Sequence, residues 1–225
     1  MIRVAALALM LMAGACGTAA VSPRPSTSVS ASTTMPRLTS ASIAYDPGSK
    51  LILLFGMTEG DSKPTTWTWD GRSWTQQRPR SSPALPNGSL AYDWVTSSII
   101  FFGGTYPGRE SETWAWKDLT WVLLHPPAEP IEPASAYTFT LASDARSRRV
   151  LAFGGCCAQS TLPSTTWAWD GVTWSRLQPT TAPSNRVGVN MAWDEATGQL
   201  VLFDLVSVVA PQTWIWTGSN WERRA

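Results

Sequence analysis

The chain has 225 residues, with 17 Lys and Arg against 16 Asp and Glu, and a formal net charge of +1. This balance provides no basic field to hold nucleic acid, so we expect no nucleic-acid partner. The single histidine excludes a histidine-rich metal centre, and 44% hydrophobic against 15% charged residues excludes a charged disordered chain. The unusual figure is the count of 14 tryptophans.

The first 15 residues have the pattern of a secretory signal peptide. A positive charge at Arg3 precedes the apolar run Val4–Ala15, which is shorter than the ~20 residues that cross a bilayer. Residues 13–16 read Ala-Gly-Ala-Cys and resemble the lipobox of bacterial lipoproteins, although Ala13 stands where Leu, Val or Ile is usual. The resemblance implies acylation of Cys16 and an extracytoplasmic protein anchored to the cell membrane. The alternative is an ordinary signal peptide and a secreted protein.

Residues 16–40 are rich in Ser, Thr, Pro and Ala and have no apolar periodicity. Such a segment buries too little apolar surface to offset its ordering entropy. We therefore expect a disordered linker that holds a domain formed by residues 41–225 away from the membrane.

From residue 41 onward one unit is repeated four times. The spacing Trp-x-Trp-x4-Trp begins at Trp67 and returns at Trp114, Trp167 and Trp214, so three tryptophans in each of four units account for twelve of the 14. Upstream of each triplet lie an aspartate and an apolar run rich in Ile, Leu, Val and Phe. Each unit thus contains four short segments of strand character, and we predict that the repeated tryptophans pack between the units.

Units of four strands and about 40 to 50 residues are typical of a β-propeller. We predict an all-β propeller of four four-stranded blades, at about 41–88, 89–135, 136–189 and 190–225. Aspartates at the short turns are expected to bond nearby backbone N–H groups. They are Asp46, Asp70, Asp93, Asp118, Asp144, Asp170 and Asp194.

The repeated pattern is Ala-Tyr-Asp, then an apolar run ending in Phe-Gly-Gly, then Thr-Trp-x-Trp-Asp-Gly. It resembles the kelch repeat, and more narrowly the bacterial repeats related to the propeller of galactose oxidase. The fourth unit departs from it, because Asp204 follows Phe203 directly. Galactose-oxidase-type copper needs two histidines and this chain has only His125, so we expect no metal and no other cofactor.

Kelch propellers usually have six or seven blades, which leaves three arrangements open for four units. The favoured one is a small closed ring, and the second is a pair of chains that complete one eight-bladed ring. The third is an open or decayed fragment. Monomer and homodimer are both compatible with the sequence.

In each unit the turns between strands one and two and between strands three and four are short. The remaining loops are long and share the opposite end of the blades, and functional residues tend to lie on loops held by a rigid scaffold. We expect any ligand site on this long-loop face, where Arg78, Arg80 and Arg186 also lie. The candidate binding residues are Glu59, Asp61, Tyr106, Arg109, Glu110, Cys156, Cys157, Gln159 and Asp204.

Cys156 and Cys157 are adjacent in an exported protein, where disulfides are permitted. Adjacent Cα atoms lie ~3.8 Å apart, below the usual disulfide range, so a vicinal bridge would be strained. A bridge and a reduced pair both remain open.

The sequence favours a binding module for an unknown protein or glycan, and it assigns no catalytic residue. An extracytoplasmic isomerase or lyase acting on sugars is the alternative that the kelch resemblance implies. A structural module that completes its ring by dimerisation is a further alternative.

Overall fold

The computed structural model describes residues 37–104, 111–128, 139–154, 164–184, 189–205 and 210–224, together with the backbone of 31–32. Within these ranges the chain is all-β and forms four antiparallel sheets, which confirms the predicted propeller of four blades. None of the described residues forms a helix that could span a membrane.

Each blade contains a four-stranded meander in which consecutive strands pair, and blade 1 has one additional strand that pairs with the last strand of its meander. Blade 1 comprises β1 (Ala31–Ser32), β2 (Leu38–Asp46), β3 (Leu51–Thr58), β4 (Thr65–Trp69) and β5 (Trp74–Gln77). Blade 2 comprises β6 (Gly88–Asp93), β7 (Ser98–Gly103), β8 (Glu112–Lys117) and β9 (Thr120–Leu124). Blade 3 comprises β10 (Phe139–Asp144), β11 (Arg149–Gly154), β12 (Thr165–Trp169) and β13 (Trp174–Leu177). Blade 4 comprises β14 (Val189–Asp194), β15 (Gln199–Asp204), β16 (Gln212–Trp216) and β17 (Trp221–Arg224).

Blade 1 extends further toward the N-terminus than the predicted boundary at residue 41. Strand β2 begins at Leu38, and two residues of the predicted linker form β1, which pairs with the outer strand β5. Ala31 is opposite Thr75 and Ser32 is opposite Trp74 in this pairing. The outer edge of blade 1 is therefore covered at this point by backbone from the linker.

The predicted aspartate turns join the first two strands of every blade. Asp46 Oδ1 accepts the Gly48 N–H at 2.9 Å, and its other oxygen accepts the Ser49 hydroxyl at 2.7 Å. Asp93, Asp144 and Asp194 accept the corresponding backbone N–H groups in the other blades. Because each carboxylate satisfies donors that the turn would leave without a partner, these residues stabilise the turn.

Apolar cores lie between successive blades. One cluster joins blades 1 and 2, another joins blades 2 and 3, and a third joins blades 3 and 4. Of the twelve repeated tryptophans eight are buried and four are half-buried, which confirms that they pack within the propeller. The half-buried four are Trp69, Trp74, Trp167 and Trp214.

The same aromatic contact recurs at all three cores. A phenylalanine at the end of the second strand meets the last tryptophan of the next blade, with ring centroids 5.2 to 5.5 Å apart. The pairs are Phe55 with Trp121, Phe102 with Trp174, and Phe153 with Trp221. Each indole N–H also donates to a buried threonine of the preceding blade, at 2.9, 3.1 and 3.1 Å. These acceptors are Thr66, Thr113 and Thr166.

Blades 4 and 1 do not share such a core. Among the described residues, first strands β2, β6, β10 and β14 pack in that order, but no apolar cluster joins β14 or its blade to blade 1. As far as the described residues show, the four blades therefore form an open arc, whereas the sequence favours a small closed ring. The repeat pattern defines each blade and its neighbour, but it does not fix the angle through which the blades turn.

Candidate functional site

Most of the predicted binding residues lie outside the described residues. This applies to Tyr106, Arg109, Glu110, Cys156, Cys157 and Gln159, and to the predicted lipidation site Cys16. Their roles, and the choice between a disulfide and a reduced pair, stay predictions. Glu59, Asp61 and Asp204 are described.

Glu59 and Asp61 lie on the turn after β3, where both side chains are exposed. The Glu59 backbone N–H donates to the Arg37 carbonyl at 2.8 Å, and its carboxylate lies 3.9 Å from the Arg37 guanidinium. Because both partners of this ion pair are exposed, it contributes little to stability. Glu59 thus holds the turn against the beginning of β2, while Asp61 faces solvent beside it.

Asp204 is the last residue of β15, and it is fully buried instead of lying in a loop. Its backbone is paired on both sides, with Val189 of β14 and Gln212 of β16. Strand β15 simply continues one residue beyond the apolar run. The side chain is therefore not exposed at the long-loop surface in this structure, and its predicted role in binding stays a prediction.

A groove is present on the long-loop side of blade 1, as the loop lengths predict. Residues 62–66 form one wall and residues 76–84, which lead from β5 toward blade 2, form the other. The groove has a volume of about 650 Å³. Its floor lies on the junction of two blades, since Thr66 accepts the indole N–H of Trp121 and Ser81 donates to the Trp121 carbonyl at 2.5 Å.

The lining of this groove is basic and polar. Lys63, Arg78 and Arg80 contribute cations, and all three are exposed. Gln77 is held in place, because its amide nitrogen donates to Thr68 Oγ1 at 2.8 Å. The other polar lining groups are serine and threonine hydroxyls and the amide of Gln76, and no aspartate or glutamate is among the described lining residues.

Three prolines, Pro64, Pro79 and Pro83, restrict the two walls of the groove. Proline fixes φ near −65° and so lowers the conformational entropy of a loop. Together with the anchoring of Ser81 to blade 2, this makes the groove largely pre-formed. Such a site can hold a ligand that is rich in hydroxyl groups and carries negative charge.

A second cavity, of about 410 Å³, lies in the channel between the first strands of all four blades. It opens toward the short-turn end, the opposite end from the groove, and its lining includes Tyr45, Tyr92 and Glu195. Trp94 and Trp193 also line it, and both are half-buried. Their indole N–H groups are buried without a hydrogen-bond partner. The cavity is mainly aliphatic and aromatic.

Three carboxylates at the short turns have lowered pKa values. Backbone N–H donation, first from Ser73 to Asp70 and from Thr173 to Asp170, holds the pKa of each carboxyl below its ordinary value of 3.8. The Thr197 hydroxyl is the main cause of the lowered pKa of Asp194. These carboxylates therefore act as turn acceptors. His125 is exposed, and the described residues contain no cluster of three or more His, Cys, Asp or Glu that could hold a metal.

The groove lies on the long-loop face where the sequence predicts a ligand site, and ligand binding there stays a prediction. Arg78 and Arg80 are visible in the sequence as loop cations, whereas Lys63 and Gln77 carry no distinguishing signal. Lys63 and Gln77 line one groove because the fold brings the loop after β3 against the segment after β5.

No family model matches this sequence, and the curated proteins include none that matches it. Solved structures of similar fold include SapL1 lectin in complex with alpha methyl fucoside, at 14% identity and a TM-score of 0.54. The Aleuria aurantia lectin in complex with alpha-methyl-L-fucoside has a similar fold, at 14% identity and a TM-score of 0.54. A gluconolactonase from Xanthomonas campestris is also similar, at 12% identity and a TM-score of 0.53. The matches cover 82, 85 and 87% of this chain. They span 63, 63 and 65% of the other chains, less than two thirds of each, and at these identities they show the fold alone.

Proposed function

We propose that this chain is a kelch-type propeller, anchored to the cell envelope through Cys16, that binds acidic glycans in the groove of blade 1. The observation that carries the proposal is the lining of the groove, to which Lys63, Arg78 and Arg80 contribute and no described carboxylate does. The same lining presents amide and hydroxyl groups, which form hydrogen bonds with sugar hydroxyls.

The cations favour a ligand that carries carboxylate or sulfate groups. Arginine binds such groups through two parallel N–H donors, and these charge-assisted bonds are about twice as strong as neutral ones. The chain as a whole has a net charge of only +1, so the attraction is local to the groove and not a property of the whole surface. A neutral sugar would leave the cations without a counter-ion.

The solved structures of similar fold support a glycan as the ligand class. Two of them are lectins in complex with methyl fucosides, which shows that lectins occur among proteins of this shape. Because a propeller also occurs in the gluconolactonase, the fold alone does not separate binding from catalysis. The groove provides cations and hydrogen-bonding groups, and such groups favour binding of a glycan over catalysis.

The expected location fits this role. The lipobox-like residues at the signal peptide predict a lipid anchor, and the Ser/Thr/Pro-rich segment that follows predicts a tether. A propeller held in this way would meet polysaccharides of the envelope or of the surroundings.

Binding of the purified full chain to an array of acidic and neutral glycans tests the proposal. We expect retention of uronate-bearing or sulfated glycans, and a decrease in affinity as salt rises, because the attraction is electrostatic. The double variant Arg78→Gln, Arg80→Gln should lose about 10-fold or more in affinity, since a charge-assisted hydrogen bond contributes ~1.5–3 kcal/mol.

Arg176→Gln is the matched control, because Arg176 is exposed on the outer strand of blade 3, away from the groove. This variant should bind like the original chain. Equal losses in both variants, or retention of neutral glycans only, would contradict the proposal. Release of a cleaved or isomerised sugar from the array would support the enzyme alternative instead.

A further inference from the structure

Two blade faces are left uncovered by the part of the chain that the structure describes. We call the face that meets the next blade along the chain the forward face, and the face that meets the preceding blade the back face. Within the described residues the three apolar cores cover the forward faces of blades 1 to 3 and the back faces of blades 2 to 4. The back face of blade 1 and the forward face of blade 4 have no counterpart.

The back face of blade 1 carries residues that are buried in other blades. Ile43 is 56% exposed, whereas Leu90 and Leu141, at the same position of the repeat, are each 4% exposed. Tyr45 is 54% exposed, whereas Tyr92 is 8% exposed. The sequence therefore keeps an interface residue at these positions, although each side chain remains more than half exposed.

The forward face of blade 4 shows the same contrast. Phe203 is 40% exposed, whereas Phe102 and Phe153, the corresponding residues of blades 2 and 3, are almost completely buried. Ala192 is likewise exposed, although Ala142 at the equivalent position is buried in the core between blades 3 and 4. An exposed phenylalanine beside exposed aliphatic side chains is typical of an interaction surface.

The two uncovered faces carry complementary residues of the Phe–Thr–Trp contact that is repeated between blades inside the chain. In each internal core a phenylalanine and a threonine of one blade receive the last tryptophan of the next. The forward face of blade 4 provides Phe203 and Thr213 at these positions, and the back face of blade 1 provides Trp74. The open arc holds these two faces apart within one chain.

We propose that the two faces bind each other between two copies of the chain. Blade 4 of one copy packs on blade 1 of the other, and the reciprocal contact closes one ring of eight blades around a two-fold axis along the channel. A two-fold arrangement covers both open faces at once, and head-to-tail contacts that close in this way end further growth. Trp74 of each copy contacts Phe203 of the other and donates its indole N–H to Thr213.

This pairing also has a consequence for binding that rests on the proposed function. An axis along the channel places the long-loop faces of both copies on the same side of the ring. The two blade 1 grooves would then face one glycan surface together, and two linked sites bind a polymeric ligand more tightly than one. Loss of glycan binding by a chain that still pairs would contradict the proposed function alone.

Sedimentation equilibrium of the purified full chain tests the pairing. We expect a mass of two chains. Phe203→Glu and Ile43→Lys should each give a mass of one chain, because each places a charge in an apolar interface, and neither should change the circular dichroism spectrum. Val172→Glu is the matched control, since Val172 is 67% exposed on a short turn outside both faces, and it should leave the dimer intact.

Mixing the two monomeric variants identifies which faces meet. Phe203→Glu leaves the back face of blade 1 intact, and Ile43→Lys leaves the forward face of blade 4 intact, so the mixture regains one native contact and one Glu–Lys contact. We expect dimers to return on mixing. Pairing of like faces predicts no recovery and would overturn the proposal.

Thr213→Val provides a test that does not depend on a new charge. It keeps the shape of the side chain and removes the acceptor for Trp74, so the dimer dissociation constant should rise several-fold, as expected for one net hydrogen bond. An original chain that sediments with the mass of one copy, a dimer that persists in both charged variants, or an assembly larger than two would each overturn the proposal.

Discussion

The two ends of each blade are built from different chemistry. At the short-turn end the aspartates accept backbone and hydroxyl donors within their own turn, so their charge is used locally. At the long-loop end of blade 1, Lys63, Arg78 and Arg80 surround a groove with no carboxylate among its described lining residues. The difference indicates that one end maintains the fold while the other is available to a ligand.

The scaffold that joins the two ends should respond most strongly to mutation. Trp174 is 1% exposed, contacts Phe102 and donates to Thr113 at 3.1 Å. Trp174→Ala should destabilise the chain by about 3–5 kcal/mol, because a large core residue is replaced by a cavity. Urea unfolding of the full chain measures this loss, and a variant within about 1 kcal/mol of the original would show that blade packing does not depend on this side chain.

The next largest effect is expected at a buried short turn. Asp93 is fully buried and accepts the Trp169 indole N–H at 3.0 Å and the Val95 backbone N–H at 2.8 Å. Asp93→Ala leaves these donors without a partner and should cost about 3 kcal/mol of unfolding free energy. Asp46→Ala, at the equivalent but more exposed turn of blade 1, is the control and should cost about 1 kcal/mol. Equal losses in the two variants would argue against the importance of burial.

Acid should weaken the short-turn end through its aspartates. The pKa values of Asp70, Asp170 and Asp194 are lowered in the folded chain by hydrogen bonds from their turns. Because the folded state binds protons less readily than the unfolded state, this stabilisation is present above the ordinary value of 3.8 and is lost as pH falls through the lower folded pKa. We expect the melting temperature to fall below about pH 4.

Asp170→Asn separates this effect from general acid sensitivity. An asparagine keeps an acceptor oxygen at the turn but does not titrate, so the melting temperature of the variant should depend less steeply on pH below about 4. A pH profile identical to that of the original chain would mean that other groups control acid unfolding.

The smallest effect on stability is expected in the groove. The double variant Arg78→Gln, Arg80→Gln should unfold within about 0.5 kcal/mol of the original chain, since both side chains are exposed. Thermal unfolding of the variant checks this directly. A large loss would mean that the arginines support the fold, and reduced glycan binding could then no longer be assigned to the groove.

Much of the fold could be predicted from the sequence because short, repeated sequence patterns specify the strands and turns of each blade. The tryptophan triplets, the apolar runs and the Asp46-type turns all act within one blade or between neighbours. The burial of Asp204 was missed, since nothing local shows that β15 continues past Phe203. The open arc was among the arrangements left open but was not the favoured one, because curvature is the sum of small angles between blades, and Ile43 and Phe203 look like ordinary core residues in sequence.

The sequence predicted the face of the propeller on which a candidate site lies, but not all of the residues that line it. Long loops indicate where a ligand can bind, and Arg78 and Arg80 lie on them, but the groove that these arginines share with Lys63 depends on how two loops pack. Loop packing has no periodicity that a sequence would reveal. The predicted residues outside the described ranges, Arg109 and Glu110 among them, stay predictions for the same face.

Hydrogen exchange of the full chain, with and without an acidic glycan that it retains, compares the two ends in one experiment. We expect the glycan to slow exchange of backbone amides in residues 62–66 and 76–84 and to leave the turns at 46–49, 93–96 and 144–147 unchanged. Slower exchange at these turns, with no change in the groove segments, would contradict the assignment of ligand binding to the long-loop end.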